Sequence, residues 1–166
     1  MPSKRLLVAF AIGLVAVVAM VFGILYKQRG AHIRLEGNIQ KVRTAAMDDY
    51  SSVAVIDFRF ANPADYPFWV RRVDVSIVDA DGNQYDGVTV SEVDAKRLFE
   101  FYKPLGQKFN HSLLMNDKVP PRSAEDRMVA ARFAVPERIL AGRKSLTIRI
   151  EEVDGPVANL SQAQAQ

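Results

Sequence analysis

One uninterrupted apolar segment, residues 6–26, limits what this chain can fold into more than any other feature. Its 21 residues include no charged side chain and no Asn, Gln, Pro or His. As an α-helix rising about 1.5 Å per residue, it would span roughly 31 Å, which is close to the thickness of a bilayer's hydrocarbon core. Because backbone amides in lipid must bond within their own segment, we expect a transmembrane helix at residues 6–26.

The segment is typical of an uncleaved anchor rather than of a signal peptide. A signal peptide has an apolar region of about 7–15 residues followed by a small-x-small cleavage site, whereas this run is longer and ends in GILYKQR. Lys4 and Arg5 favour a cytoplasmic tail, although Lys27, Arg29 and Arg34 argue for the opposite orientation. We expect the tail inside and the domain outside the cytoplasm, which is the periplasmic side in a Gram-negative cell.

Basic residues are concentrated beside this segment, whereas the rest of the chain is slightly acidic. Residues 27–43 carry five basic side chains and one acidic side chain, and the chain beyond them carries 15 basic and 18 acidic residues. The flanking charge is either ordinary for a membrane helix or attracts anionic lipid head groups. No basic stripe typical of nucleic-acid binding is apparent, so we expect the lipid bilayer, and not nucleic acid, as a partner. The flanking charged residues are Lys27, Arg29, Arg34, Glu36, Lys41 and Arg43.

Beyond residue 32, apolar residues alternate with polar ones, which is the period of β-strands with one buried face. In the clearest strand, Ala54, Ile56, Phe58 and Phe60 share one face. Several such strands can bury their apolar faces together when two sheets pack about 10 Å apart. We therefore predict a mainly β fold, an immunoglobulin-like β-sandwich without a disulfide, since the chain has no cysteine. The predicted strands are residues 33–40, 52–61, 70–78, 84–90, 128–135 and 145–153.

Short local signals indicate how the strands are connected. Gly37 suggests a β-bulge in the first strand, and Gly82 suits a tight hairpin turn that needs positive φ. Ser91 followed by Asp94 predicts the start of an inserted helix that runs to about residue 102. The tail ANLSQAQAQ has little apolar surface, so we expect it to be disordered. The predicted organisation is a tail at 1–5, a transmembrane helix at 6–26, a linker at 27–32, a β-sandwich at 33–155 and a disordered tail at 156–166.

Two stretches resemble a known type of domain. The first, VAVIDFRFANPADYPFWVRRVDVSIVDADGNQYDG, contains a strand, an Asn-Pro corner, a second strand and an Asp-Gly hairpin, and the second is VPPRSAEDRMVAARFAVPE. Over roughly residues 52–154 the chain resembles bacterial membrane-anchored, immunoglobulin-like (telokin-like) domains of unknown function. It is more distantly similar to late-embryogenesis-abundant type 2 (WHy) domains. It departs from them at Pro121 and Arg122, where a Pro-Gly turn is usual, and in the long stretch 91–118. The resemblance implies a fold and transfers no catalytic residue.

No set of residues suited to catalysis, or to holding a metal or a cofactor, can be assembled from the sequence. The acidic run that begins at Asp79 lacks the glycine and glutamate that an EF-hand needs at Gln84 and Val90, so we expect a hairpin turn there. His32 and His111 have no partner at ligand spacing. Serine-hydrolase motifs and phosphate-binding glycine loops are also absent. We therefore expect no enzyme, no cofactor and no metal.

Two aromatic groups are candidates for a partner surface. Phe68 and Trp69, after the Asn-Pro corner, either close one end of the sandwich or contact a partner. On a helix, Leu98, Phe101 and Tyr102 share a face that either packs over the sandwich or binds a partner. The candidate partner surface comprises Phe68, Trp69, Leu98, Phe101, Tyr102 and Phe109.

These features together predict a single-pass, membrane-anchored, non-enzymatic binding or structural module of the cell envelope. The alternative is an accessory subunit of a membrane transport or secretion complex, in which the anchor itself makes specific contacts. Small residues spaced four apart, Ala9 with Gly13 and Ala19 with Gly23, would allow such contacts but are also common by chance. A hydrolase with an unrecognised site is the least favoured hypothesis.

Overall fold

The computed structural model describes residues 13–23, 35–153, 155 and 157–163. The chain divides into two compact units, Met1–Ile33 and Arg34–Gln166. In the first unit, residues 13–23 form a helix, α1. Among the described residues, no helix combines the length and apolar character required for crossing a bilayer. The predicted tail and linker, and the parts of the predicted span on either side of α1, lie outside the described residues.

The second unit is built mainly from antiparallel strands, which confirms the predicted β class. A ten-residue helix follows the fourth strand, and a short helix precedes the seventh. The elements are β1 (Glu36–Ala46), β2 (Ser52–Asn62), β3 (Phe68–Val78), β4 (Gln84–Thr89), α2 (Glu92–Phe101), a 3₁₀ turn (Lys103–Leu105), β5 (Lys118–Val119), β6 (Ser123–Phe133), α3 (Glu137–Ala141), β7 (Ser145–Glu152) and β8 (Val157–Ala163).

The strands follow the order β1-β2-β6-β4-β3-β7-β8, and β5 pairs with the start of β3. Strand β4 belongs to both halves of this arrangement, since residues 84–87 pair with β3 and residues 88–89 pair with β6. The largest fully buried side chains come mainly from β2, β3, β6 and β7. The result is a sandwich-like β architecture whose two halves are joined through β4.

Strand β2 is buried on both of its faces. Phe58 and Phe60 point into the main core, as predicted. Val53 and Val55, on the opposite face, are also fully buried, because α2 covers that side of the sheet and forms a second apolar cluster with them. The sequence pattern predicts the buried face of β2 that carries Phe58 and Phe60. The opposite face, with Val53 and Val55, is buried by the inserted helix.

The predicted disordered tail is wrong for residues 157–163, which form β8. This strand pairs with β7 from Glu151↔Val157 to Ser145↔Ala163. Ala158 and Leu160 are buried, and the β7 edge supplies hydrogen-bond partners for the backbone. Two buried side chains give only a weak apolar pattern in the sequence. Pairing with the existing edge of β7 stabilises the strand nonetheless.

The bulge predicted at Gly37 lies at Gln40 instead, because the β1–β2 register shifts between Ile39 and Lys41. Gly37 has a different role, which is close approach to β2. A Cβ added at Gly37 would lie 2.3 Å from the carbonyl oxygen of Arg59 and 2.8 Å from Cα of Phe60. Only glycine therefore allows β1 and β2 to pair at this position.

Substituting Gly37→Ala should lower the free energy of unfolding by about 2 kcal/mol, because the added methyl group displaces backbone atoms of β2. Urea unfolding followed by fluorescence of Trp69, the single tryptophan, measures the change. Asn38→Ala, at the exposed neighbouring position, is the matched control and should change stability by less than about 0.5 kcal/mol. Equal stability of the two variants would contradict the close approach.

Candidate functional site

The insertion between β4 and β5, residues 91–117, lies over the outer face of strands β1, β2 and β6. Its helix α2 begins as predicted, since Oγ of Ser91 accepts a hydrogen bond of 3.1 Å from the backbone N–H of Asp94. Ala95 and Leu98 are buried against this face of the sheet, in the second apolar cluster. The helix thus packs on the β-strands, and its exposed side carries Lys96, Arg97, Glu100 and Phe101.

A buried arginine fastens the insertion to the strands beneath it. The bulge after Ile39 turns Arg43 towards the insertion, where only 9% of the residue is exposed. Its Nη2 lies 2.6 Å from Oδ2 of Asp57 on β2. Its Nη1 donates hydrogen bonds to the carbonyl oxygens of Leu105 (2.5 Å) and Gln107 (2.7 Å). One guanidinium therefore joins β1, β2 and the segment after α2.

Aromatic rings and an amide complete the surroundings of this ion pair. The guanidinium carbon of Arg43 lies 5.0 Å from the ring centre of Phe99 and 5.6 Å from that of Phe109, distances suited to cation–π attraction. Nδ2 of Asn110 donates a 3.0 Å hydrogen bond to Oδ1 of Asp57. Placing Arg43 among membrane-flanking charges was wrong, because the bulge after Ile39 turns it towards the insertion. Gly37 indicates a bulge in this strand but not its position after Ile39.

A second charged cluster joins the start of the insertion to its end. Nζ of Lys108 lies 2.7 Å from Oε1 of Glu92 and also donates to the carbonyl oxygen of Asn110. Oε2 of Glu92 accepts a 3.0 Å hydrogen bond from the backbone N–H of Ser112. Burial opposes ionisation of Glu92, but the hydrogen bonds from Lys108 and Ser112 outweigh it and lower the pKa of Glu92 to about 2. The start of α2 is thereby tied to the end of the insertion.

The residues predicted as a partner surface separate into buried and exposed groups. Phe68 is fully buried and Leu98 is 8% exposed, so their assignment to a surface was wrong. Phe101 and Phe109, in contrast, are 75% and 67% exposed, on the insertion. Tyr102 is half-buried beside the second apolar cluster. The exposed part of the predicted surface on the insertion is therefore smaller than expected.

Trp69, at the start of β3, is partly exposed and does not fill the sandwich. Its ring centre lies 5.3 Å from Nζ of Lys118, the residue opposite it on β5. Phe68, its neighbour, points into the core instead. Successive strand residues face opposite ways, which explains why only one of the two aromatic residues closes the sandwich.

An open cleft of about 440 Å³ lies beside β3 and was not foreseen from the sequence. It is located where β4 has moved away from β3 towards β6. Its lining combines two arginines and one aspartate of β3 with apolar residues from the end of the insertion. The lining residues are Arg71, Arg72, Val73, Asp74, Thr89, Val90, Leu113, Leu114 and Met115.

Within the described ranges, no group of three or more His, Asp or Glu side chains could hold a metal ion. The acidic run at residue 79 forms the predicted hairpin turn. Oδ1 of Asp79 accepts hydrogen bonds from the backbone N–H groups of Asp81 and Asn83, and Gly82 has φ of +91°. The side chain of His111 is 86% exposed, and its Nδ1 lies 3.8 Å from Oε1 of Glu92. His32 lies outside the described residues.

Comparisons with known proteins provide no family assignment. A scan of protein-family models finds no match, and a search of curated proteins finds no significant relative. Similar solved structures include an uncharacterised β-sandwich protein from Clostridium difficile, with 11% identity, a TM-score of 0.41, and coverage of 78% of this chain and 85% of that one. The archaellum periplasmic stator protein FlaG of Sulfolobus acidocaldarius has 11% identity and a TM-score of 0.33, covering 77% and 99%.

A flagellar-like filament protein is the third similar structure. It has 12% identity and a TM-score of 0.32, and the match covers 97% of this chain and 98% of that one. All three likenesses are too weak to carry an argument about function, so the assignment of a β-sandwich rests on the strand pairing described above.

Removing either partner of the buried ion pair should be strongly destabilising. Arg43→Ala and Asp57→Ala should each lower the free energy of unfolding by about 3 kcal/mol, because each leaves a buried charge unpaired. The double variant should lose much less than the sum of the two. Urea unfolding in a double-mutant cycle measures this coupling.

The exposed pair Arg59–Asp126 is the matched control for this cycle, since it also involves β2 and its charged atoms lie 3.6 Å apart. Its side chains are 55% and 43% exposed, so its coupling should be below about 1 kcal/mol. Additive losses for Arg43 and Asp57 would contradict the role of the buried pair.

Stability should also depend on Glu92 in acid. Its lowered pKa means that its contribution is fully present above its ordinary pKa of 4.5 and is lost as the pH falls towards about 2. Glu92→Gln should therefore be less stable than the native chain at pH 6, by on the order of 2 kcal/mol, and the difference should shrink towards pH 3. Unfolding curves across this range test it, with Glu100→Gln on the exposed side of α2 as control. A difference independent of pH would refute this role.

Proposed function

We propose that this chain is a single-pass, membrane-anchored, non-enzymatic binding or structural module of the cell envelope. The observation that carries the proposal is the uncharged apolar segment 6–26. Within it, α1 exposes every large apolar side chain from Leu14 to Phe22, each by at least 46%. Exposed apolar surface on all sides of a helix favours a lipid environment.

The β-unit suits a recognition role rather than a catalytic one. Among the described residues, its buried ionisable side chains are Arg43, Asp57, Asp79 and Glu152. Arg43 and Asp57 are paired with each other and with neighbouring carbonyls and amides, and Asp79 accepts hydrogen bonds from its own hairpin turn, so these three side chains serve structural contacts. This proposal includes two finer points: the sandwich is of the immunoglobulin-like type, and it is similar to telokin-like and late-embryogenesis-abundant domains. Such sandwiches present loops and insertions on a rigid scaffold, outside the cytoplasm in the orientation we favour.

The surface that would meet a protein partner is on the insertion. Phe101 and Phe109 are exposed, while the elements that carry them are held by α2 packing and by the Arg43 ion pair. Exposed aromatic residues on a fixed backbone lose little conformational entropy on binding. Trp69 offers a further exposed aromatic contact beside Lys118.

The alternative is an accessory subunit of a membrane transport or secretion complex. Ala19 and Gly23 are four residues apart and so share one face of α1, and a Cβ added at Gly23 would meet no atom within 4 Å. Small residues at this spacing allow a second helix to approach closely. Under this alternative the anchor sequence itself, and not only the β-unit, would determine the partner.

Charged residues placed in α1 should release the chain from the membrane. Val17→Asp combined with Val21→Asp adds about 3 kcal/mol of insertion cost per substitution near the middle of a bilayer. The native chain should therefore remain in the membrane pellet after carbonate extraction, and the double variant should be depleted from it. Val88→Asp with Val93→Asp, at exposed positions of the β-unit, is the control and should remain in the pellet. Native protein in the supernatant would refute the anchor.

Replacing residues 6–26 with polyleucine distinguishes the two functions. Retained co-purification with a partner supports an anchored module, whereas lost co-purification supports an accessory subunit. A cysteine introduced by Gln166→Cys would be unique in this chain. Its labelling by an impermeant maleimide in intact cells or spheroplasts should occur if the β-unit is extracytoplasmic.

A further inference from the structure

Strand β3 has an interrupted edge. Along one side it pairs with β7 over Val70–Val78, with one bulge. Along the other side, Val75–Val78 pair with β4, and Phe68 and Trp69 pair with β5. Within the described part of the chain, no strand pairs with residues 71–74 on this second side. The gap is four residues long and has a paired segment at each end.

The backbone of Val73 points into this gap. Across the hairpin, the N–H of Asp79 donates to the carbonyl oxygen of Asn83, so residue 79 directs its backbone groups towards β4. The carbonyl of Val78 accepts from Lys144 at the start of β7, on the opposite side. Because these directions alternate along a strand, Val73 turns its N–H and C=O towards the gap.

The gap has a structural cause at each end. Beyond Gly87, strand β4 leaves β3, and its continuation donates from Val90 N–H to the carbonyl oxygen of Ala130 on β6. At the other end, Val70 exchanges backbone hydrogen bonds with Asn116 and Asp117, at 2.7 and 2.9 Å. The space between these two ends is the cleft of about 440 Å³.

The size of the cleft suits a short strand. From the rise per residue, the strand spacing and the sheet spacing, one strand residue in a sandwich occupies about 160 Å³. The cleft therefore has room for about three residues of extended chain. An added strand could exchange two backbone hydrogen bonds with Val73, which would fill the ladder between β4 and β5.

The charges of the cleft favour an acidic occupant. Arg71 and Arg72 line it with a single carboxylate, that of Asp74. Arg71 is 61% exposed and lies 3.6 Å from Glu151, which is a weak pair. Among the described residues, no carboxylate lies within ion-pair distance of Arg72. The apolar wall consists of Leu113, Leu114 and Met115.

We propose that this cleft binds a short extended segment of a partner protein, which adds a strand to the β3 edge and places an acidic side chain near Arg72. The segment would carry apolar residues on either side of that acid, against the wall that Leu113 and Met115 provide. This inference names a ligand class for the proposed binding module and so rests on that proposal. Main-chain pairing supplies the affinity, and the charge of Arg72 supplies the selectivity.

The test titrates capped pentapeptides TVEVT, TVQVT and TVKVT into the full-length, ¹⁵N-labelled chain in detergent micelles. Saturable amide shifts should be centred on residues 71–74, and affinity should fall from the Glu to the Gln to the Lys peptide. A backbone N-methylated TVEVT, which cannot donate ladder hydrogen bonds, should bind at least about tenfold more weakly. Equal binding of the methylated peptide, or no shift at residues 71–74 with any peptide at 2 mM, would overturn the proposal.

Two variants and a matched control test whether the peptide binds in this cleft. Thr89→Trp fills the cleft and should weaken TVEVT binding about tenfold or more, whereas Val88→Trp, at the exposed position next to it, should leave binding within about twofold. Arg72→Glu should reverse the preference to the Lys peptide. Unchanged binding in both Thr89→Trp and Arg72→Glu would also overturn it. Carbonate extraction tests the membrane anchor separately, and its result does not affect the peptide titration.

Discussion

The shared strand β4 is the constraint on which the rest of the β-unit depends. Its first four residues pair with β3 and its last two with β6, so one short strand connects both halves of the sandwich. The crossing needs a close approach, since a Cβ added at Gly87 would lie 2.6 Å from the ring of Phe133. A side chain at Gly87 would collide with the ring of Phe133 and push β4 away from the end of β6 with which it pairs.

Three features follow from this crossing. Strand β3 loses its neighbour at residues 71–74, which opens the cleft. The chain leaves β4 beside β6, so that α2 begins next to the outer face of β1, β2 and β6 and covers it. The insertion then returns to β3 through β5, which closes the far end of the cleft. The ion pair of Arg43 and Asp57 holds the insertion in this path.

Much of this fold could be predicted from alternation, because a strand with one buried face leaves a clear pattern. Val73, Val75 and Ile77 are buried as expected, as are Leu146, Ile148 and Ile150. The Ser91 cap and the Gly82 turn were also predictable, since each depends on local chemistry. Strand β8 was missed because only Ala158 and Leu160 face inward, and its stability comes from pairing with β7.

The site was harder to predict, because it depends on contacts between distant segments. Arg43 is buried by a bulge that alternation does not reveal, and its partners lie 14 to 64 residues away along the chain. The same helical spacing that grouped Leu98 with Phe101 could not tell which of them packs inward. The cleft arises from the path of β4, which no residue pattern of β3 encodes.

Amide hydrogen exchange on the full-length chain, read residue by residue, tests the central claim that β4 leaves an open edge on β3. The account predicts strong protection of Val75 and Ile77, whose backbone N–H groups point towards their partners on β4. It predicts fast exchange of Val73, which lies on the same strand and pairs with no strand of the described residues on that side. Protection of Val73 equal to that of Val75, in the absence of any added peptide, would contradict it.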